Sequence, residues 1–182
     1  MELIKEKSRL ASDFNQIISF RVGAEDYGLE LANVKEVIRM RDVTWLPKAP
    51  PFIKGIINLR GKVIPIVDLR CKFGLESAEQ TAATRVIVVE VKEKLMGMVV
   101  DSASQVMRVP TDQIDPPPLV VGYLSREYIS GVAKLDDKLV ILMDIKRIFT
   151  AEEAAAVSMS AEAIRPVNDR ENLHEGGYHE KH

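Results

Sequence analysis

Residues 55–73 read Gly55-Ile-Ile-Asn-Leu-Arg-Gly-Lys-Val-Ile-Pro-Ile-Val-Asp-Leu-Arg-Cys-Lys-Phe73. Two apolar runs, Ile53 to Leu59 and Lys62 to Val67, flank Arg60-Gly61, which predicts a β-hairpin with glycine supplying a positive φ. Asp68 then stands where it can cap a short helix through Phe73. The pattern returns at an offset of 76 residues as Gly131-Val-Ala-Lys-Leu-Asp-Asp-Lys-Leu-Val-Ile-Leu-Met-Asp-Ile-Lys-Arg-Ile-Phe149. Gly55/Gly131, Leu59/Leu135, Lys62/Lys138, Asp68/Asp144 and Phe73/Phe149 coincide. At an offset of 69, Phe20, Val22, Gly28, Leu29, Leu31, Val37, Ile38 and Arg39 correspond to Val89, Val91, Gly97, Met98, Val100, Val106, Met107 and Arg108. The chain is an internal repeat.

Each half predicts a hairpin, a short helix, a strand, a second hairpin and another short helix. Short strands with glycine-marked bends point to two small antiparallel barrels rather than one large sandwich. Gln16 to Val22 reads as a strand, Gly23 to Asp26 as a turn and Tyr27 to Leu31 as the return. Leu31, Val34, Val37 and Ile38 recur at helical spacing and predict one or two helical turns. Val43 to Leu46 is extended and closed by prolines. Thr84 to Val91 and Leu95 to Val100 form a hairpin around Lys92-Glu93-Lys94, and Leu139 to Met143 is a last strand. Glu76 to Ala83 is the central connection, so the halves run over about 15–82 and 83–150. Residues 1–14 are an N-terminal extension, 151–164 an Ala-rich helix stopped by Pro166, and 165–182 a polar tail expected to be disordered. The mismatch between offsets predicts an insertion near Asp115 to Tyr123.

Composition agrees with this reading. Of 182 residues, 46 % are hydrophobic but only 5 % aromatic, and Val and Ile together number 36, so the core is β-branched and favours strands. The formal net charge is -2, with 25 Lys/Arg against 27 Asp/Glu. A lone cysteine, Cys71, rules out an internal disulfide and suits a reducing compartment. No apolar run reaches the roughly 20 residues of a membrane span and no signal-peptide pattern opens the chain, so a soluble cytoplasmic protein is expected.

Histidine is confined to His174, His179 and His182. The repeat region therefore offers no imidazole for general-base chemistry, a nucleophile–base pair or a metal site. Neither a Walker-type loop nor a G-x-G-x-x-G fingerprint is present. The sequence predicts no enzyme, no cofactor and no metal. From Lys35 to Lys72 nine Lys/Arg face three Asp/Glu, a basic excess suited to an acidic protein or to nucleic acid. Barrels that bind RNA stack bases on aromatics, and Trp45, Phe52 and Phe73 do not form the needed alternation. No nucleic-acid partner is expected.

The repeat also acts as an internal control. Arg60-Gly61 in one copy corresponds to Asp136-Asp137 in the other, so folding needs turn chemistry but not arginine. Glu36 corresponds to Gln105, so its charge too is optional for the fold. A solvated hairpin tip and a solvent-facing acid explain both residues equally well. Asp68, Asp101 and Asp144 each follow a strand, and helix capping accounts for all three. Leu119-Val120-Val121 after three prolines is either a packed loop or a stiff loop presenting apolar side chains for docking.

Phe52 to Arg70 resembles the signature of the chemotaxis coupling protein family, CheW. The resemblance continues through Tyr27-Gly28-Leu29-Glu30, Val34-Lys35-Glu36-Val37-Ile38, Gly97-Met98-Val99-Val100-Asp101 and Leu139 to Asp144, covering about residues 15 to 150. It implies a mostly β fold of two five-stranded SH3-like barrels around a shared hydrophobic core, with strands able to exchange between barrels. It also implies a cytoplasmic, non-catalytic adaptor, with no direct membrane insertion, recruited to membrane-associated chemoreceptor arrays. Its partners would be the cytoplasmic tip of methyl-accepting chemoreceptors and the regulatory domain of a CheA-type histidine kinase. By residue-by-residue correspondence, the receptor groove would use Val34, Glu36, Asn58, Arg60, Val86 and Val106. Kinase docking would use Val43, Asp115, Leu119 and Val120. Arg85 departs from the apolar residue that would suit a groove wall. A coupler of a type IV pilus or other chemosensory-like pathway is the alternative within this class, and an RNA-binding small barrel the alternative outside it.

Overall fold

The computed structural model describes residues 14–118 and 126–162. Among these residues eleven strands form two sheets. In chain order they are β1 (Phe14–Val22), β2 (Glu25–Glu30), β3 (Val34–Arg39), β4 (Ile53–Leu59), β5 (Lys62–Asp68), β6 (Arg85–Val91), β7 (Lys94–Val100), β8 (Ser102–Pro110), β9 (Ile114–Asp115), β10 (Ile129–Leu135) and β11 (Lys138–Met143). Two helices, α1 (Leu69–Lys72) and α2 (Ala151–Glu162), and short 3-10 turns accompany the strands among the described residues. Sheet A has the order β8-β1-β2-β11-β10-β9 and sheet B the order β3-β6-β7-β5-β4.

The repeat maps onto these orders strand for strand. Sheet A takes its first hairpin, β1–β2, from the first half of the chain and β8 to β11 from the second. Sheet B takes its hairpin β6–β7 from the second half and β3 to β5 from the first. Each half thus donates its leading hairpin to the other half's sheet. The halves meet twice in each sheet, along an antiparallel pairing, β1 with β8 or β3 with β6, and across one short parallel contact, where Gly28 lies opposite Leu142 and its repeat mate Gly97 opposite Ile66. A side chain at either glycine would force its neighbours to shift. A methyl on Gly97 would stand 2.6 Å from Ile66 Cδ1 and from Val86 Cγ1, and one on Gly28 would stand 2.9 Å from Leu142 Cδ2.

Side chains alternate across these strands, and the hairpins β1–β2 and β6–β7 are buried on both faces over most of their length. The inner face of sheet B collects Ile57, Ile64, Ile66, Val86, Val88 and Val99, with Ile38 packed against them, so all five strands contribute to one interior. Sheet A encloses Ile17, Val109, Ala133, Val140 and Leu142 in the equivalent place. The other face of each leading hairpin meets between the sheets, where Phe20, Tyr27 and Leu29 pack with Ile87, Val89 and Met98. Two small barrels sharing a third core result, as the sequence predicts.

Three expectations are corrected. The apolar spacing at Leu31, Val34, Val37 and Ile38 does not make a helix: a 3-10 turn over Leu31–Asn33 leads directly into strand β3. A register shift between Val34 and Glu36 breaks the simple alternation, which is why strand residues mimic helical spacing. Its repeat mate is strand β8, so Asp101 caps no helix. Sheet A also has six strands rather than five, because Ile114–Asp115 pairs with Val132 and Ala133, and neither sheet is wholly antiparallel.

Polar groups fasten what the strands assemble. Asp68 does cap α1, its carboxylate accepting from the Arg70 amide at 2.9 Å and the Cys71 amide at 3.5 Å. Asp101 accepts both Arg70 Nε at 2.8 Å and Arg70 Nη2 at 2.6 Å, and its Oδ2 also accepts the Gly23 amide at 2.8 Å. It thereby ties the β1–β2 turn of sheet A to the end of sheet B, and the Arg70 guanidinium holds its carboxyl below the usual range. Lys72, with a side chain only 7 % exposed, lies among the rings of Phe52, Tyr128 and Phe149 at 5.4, 5.4 and 5.7 Å and is ion-paired with Glu153 of α2. Phe52 and Tyr128 are repeat mates, so one ammonium is shared by equivalent rings from both halves, each contact being worth about 0.5–2 kcal/mol.

Two outcomes test this fold. Gly55, with φ +150°, has no room for a side chain, since a methyl would stand 2.1 Å from the Thr44 carbonyl oxygen. Gly55→Ala is expected to cost at least about 2 kcal/mol in urea unfolding, and an unchanged midpoint would refute the Thr44–Ile56 bridge. Because the native pKa of Asp101 is depressed, its contribution is complete above about pH 4 and fades as pH falls through the native value. Asp101→Asn should therefore lower the melting temperature at neutral pH and flatten its fall in acid.

Candidate protein-docking surface

The β4–β5 tip is a two-residue turn in which Arg60 has φ +51° and Gly61 φ +83°, the mirror-image turn that matches strand twist. Arginine pays a steric cost at such an angle, and local bonds offset it. Asn58 Oδ1 accepts the Gly61 amide at 2.8 Å, closing the turn from within. Arg60 Nη2 donates to both carboxylate oxygens of Glu36, which β3 presents across the sheet. That carboxylate raises the arginine's pKa further above its ordinary value. Glu36, Asn58 and Arg60 are therefore one polar unit at an exposed rim of barrel B.

The equivalent tip of barrel A carries different chemistry. Asp136 takes the positive φ, at +50°, and Asp137 replaces the glycine. Lys134, the repeat mate of Asn58, pairs with Asp115 of β9 at 2.6 Å. One fold thus displays a tip with a cation held on an acid and a second tip ending in two acids. Solvated-tip readings do not anticipate the Arg60–Glu36 pair, whose partners are separated by 24 residues, one in the β4–β5 turn and the other on β3.

The remaining expected receptor residues are scattered. Val106, 48 % exposed, lies on edge strand β8 of sheet A, and Val34 on β3 is partly buried against the shared core. Val86 is corrected: at 1 % exposure it fills the interior of barrel B and offers a partner no surface. Its strand reads Arg-Val-Ile-Val-Val-Glu-Val because it is buried on both faces, and such a run does not reveal which valine is outside. Arg85 folds back on the chain, its Nη1 donating to the Ala82 and Thr84 carbonyls at 2.8 and 2.9 Å.

Of the expected kinase residues, Asp115 occupies the place that Thr44, next to Val43, holds in the other half. Thr44 bridges Ile56 and Asp115 pairs with Val132, and Ile56 and Val132 are themselves repeat mates. Thr44 and Asp115 accordingly mark the outer edge of their sheets, and Val43 packs toward the interior of barrel B. Leu119 and Val120 lie outside the described residues. The sequence reading missed Trp45, which is 73 % exposed beside Val43, and Val37, exposed beside Glu36. Val37 had a signal, being the repeat mate of Val106. Trp45 had one in its proline-rich flank, which removes it from any ladder. Among the described residues there is no cluster of His, Cys, Asp and Glu that could hold a metal.

A small double barrel whose distinctive side chains are a rim ion pair and edge-strand apolar residues belongs to the class of protein-docking modules. Residues 16–153 match the CheW-like domain, and the chain belongs to that family. It is 35 % identical to the chemotaxis protein CheW of Klebsiella aerogenes, over 86 % of this chain and 95 % of that protein. It is 32 % identical to the chemotaxis protein CheW of Rhizobium meliloti, over 81 % and 95 %. The crystal structure of the scaffolding protein TtCheW from Thermoanaerobacter tengcongensis superposes with a TM-score of 0.71 at 35 % identity, covering 76 % of this chain and 94 % of that one.

Substitutions separate the rim from the core. Arg60→Ala and Glu36→Gln should each move the melting temperature by less than about 2 °C, as for exposed residues. A much larger fall would make the pair structural. Val86→Asp, an uncompensated buried charge, should cost about 3–5 kcal/mol, whereas Val106→Asp should stay within about 0.5 kcal/mol. Equal effects would refute the assigned burial.

Proposed function

We propose that this chain is a chemotaxis adaptor that couples the cytoplasmic tips of methyl-accepting chemoreceptors to the regulatory domain of a CheA-type histidine kinase. The observation that carries the reading is the Glu36–Asn58–Arg60 unit, a charged rim with exposed Val37 alongside. A helical receptor tip would lay apolar residues against Val34, Val37 and Val106 and direct polar groups to the arginine, a helix-in-groove arrangement. Kinase docking falls to the sheet edges beside Val43 and at Asp115, together with Leu119 and Val120. The role asks for two surfaces and no chemistry. The adaptor acts in the cytoplasm, reaching the membrane through receptors. No helix among the described residues is long and apolar enough to cross a membrane.

Binding of the full chain to the kinase's isolated regulatory domain, at about 50 and about 200 mM salt, is the test. Apolar docking should saturate and weaken less than about tenfold, whereas phosphate-directed binding would collapse by about 1,000-fold or more. Leu119→Asp or Val120→Asp should weaken kinase binding and spare receptor binding, and Arg60→Ala should do the reverse. Joint loss of both activities in folded variants would contradict two separate surfaces.

A further inference from the structure

An open groove of about 740 Å³ runs between the tips of the β4–β5 and β6–β7 hairpins and helix α2. Val63, Leu95 and Phe149 contribute an apolar floor, and Ala151 and Ala155 line its helical wall. Four cations, Lys62, Lys92, Lys94 and Lys146, surround it against a single acid, Glu93. None of the four lysines has a carboxylate partner among the described residues. The groove is dressed for an acidic, partly apolar occupant.

Helix α2 has that chemistry. Its charged residues are Glu152, Glu153 and Glu162, with no Lys or Arg. Lys72 engages Glu153, which leaves Glu152 exposed. Met159 is 70 % exposed and follows Ala151 and Ala155 at four-residue spacing, so it continues the helical face that lines the groove. Groove and helix are adjacent on one molecule, the condition for a self-complementary patch, in which every contact across a twofold axis occurs twice.

We propose that two copies of the chain associate through this face, α2 of each packing into the groove of the other. Met159 covers the apolar floor, and Glu152 faces Lys92 and Lys94. The interface uses none of the residues assigned to receptor or kinase, so it stands or falls separately from the coupling role.

Sedimentation of the full chain from about 1 µM to about 1 mM is expected to show a monomer–dimer equilibrium. The double variant Lys92→Glu/Lys94→Glu and the single variant Glu152→Lys should each weaken it at least about tenfold, since each places like charges together at both contacts. Mixing the two variants should restore dimers, because both contacts then join opposite charges. Thermal unfolding establishes that each variant is folded. A monomer at every concentration would overturn the proposal and leave the groove to another occupant. Association that ignores both charge reversals, or a mixture of folded variants that does not recover, would overturn it equally.

Discussion

Two short parallel contacts, β2 with β11 and β5 with β7, close a hairpin exchange whose other side is the antiparallel pairing of β1 with β8 and of β3 with β6. Each parallel contact joins a hairpin from one half of the chain to strands from the other, and each has at its centre a glycine, Gly28 or Gly97, where a Cβ would crowd the facing side chains. Because the exchange is reciprocal, neither barrel is complete without both halves. The leading hairpins are consequently buried on both faces: Ile17 and Val86 point into their own barrels, while Phe20, Leu29, Ile87 and Met98 form the core between them. That shared core, together with the Arg70–Asp101 pair and the ring-enclosed Lys72, fixes the geometry between surfaces on separate barrels.

What the sequence discloses follows the range of the interactions concerned. The Arg60-Gly61 hairpin and the Asp68 cap are legible because neighbours in the chain determine them. The repeat is legible because equivalent strands meet equivalent demands. Strand β3 is not, since a bulge beside Lys35 shifts its apolar residues onto a spacing shared with a helix. Val86 and Val106 look alike in sequence, but one strand is enclosed and the other is an edge. The Glu36–Arg60 pair was legible as two optional charges, and only the fold brings them together.

The two barrels differ where folding leaves them free to differ. Their interiors match position by position, as Ile66 and Leu142 illustrate, yet their tips carry Arg60 and Gly61 in one and Asp136 and Asp137 in the other. A repeat under structural demands alone has no reason to maintain a bidentate arginine at one tip and two acids at the other. The asymmetry gives an adaptor distinct surfaces at fixed separation, and a coupler needs rigidity between them more than mobility within either.

The reciprocal exchange is tested most directly by preparing residues 15–82 and 83–150 as separate polypeptides and recording heteronuclear NMR spectra of each alone and of an equimolar mixture. The exchanged topology predicts two collapsed, undispersed spectra, and a dispersed β-rich spectrum on mixing that resembles the intact chain. A dispersed spectrum from either half alone would show that a barrel closes within one repeat and would contradict the account.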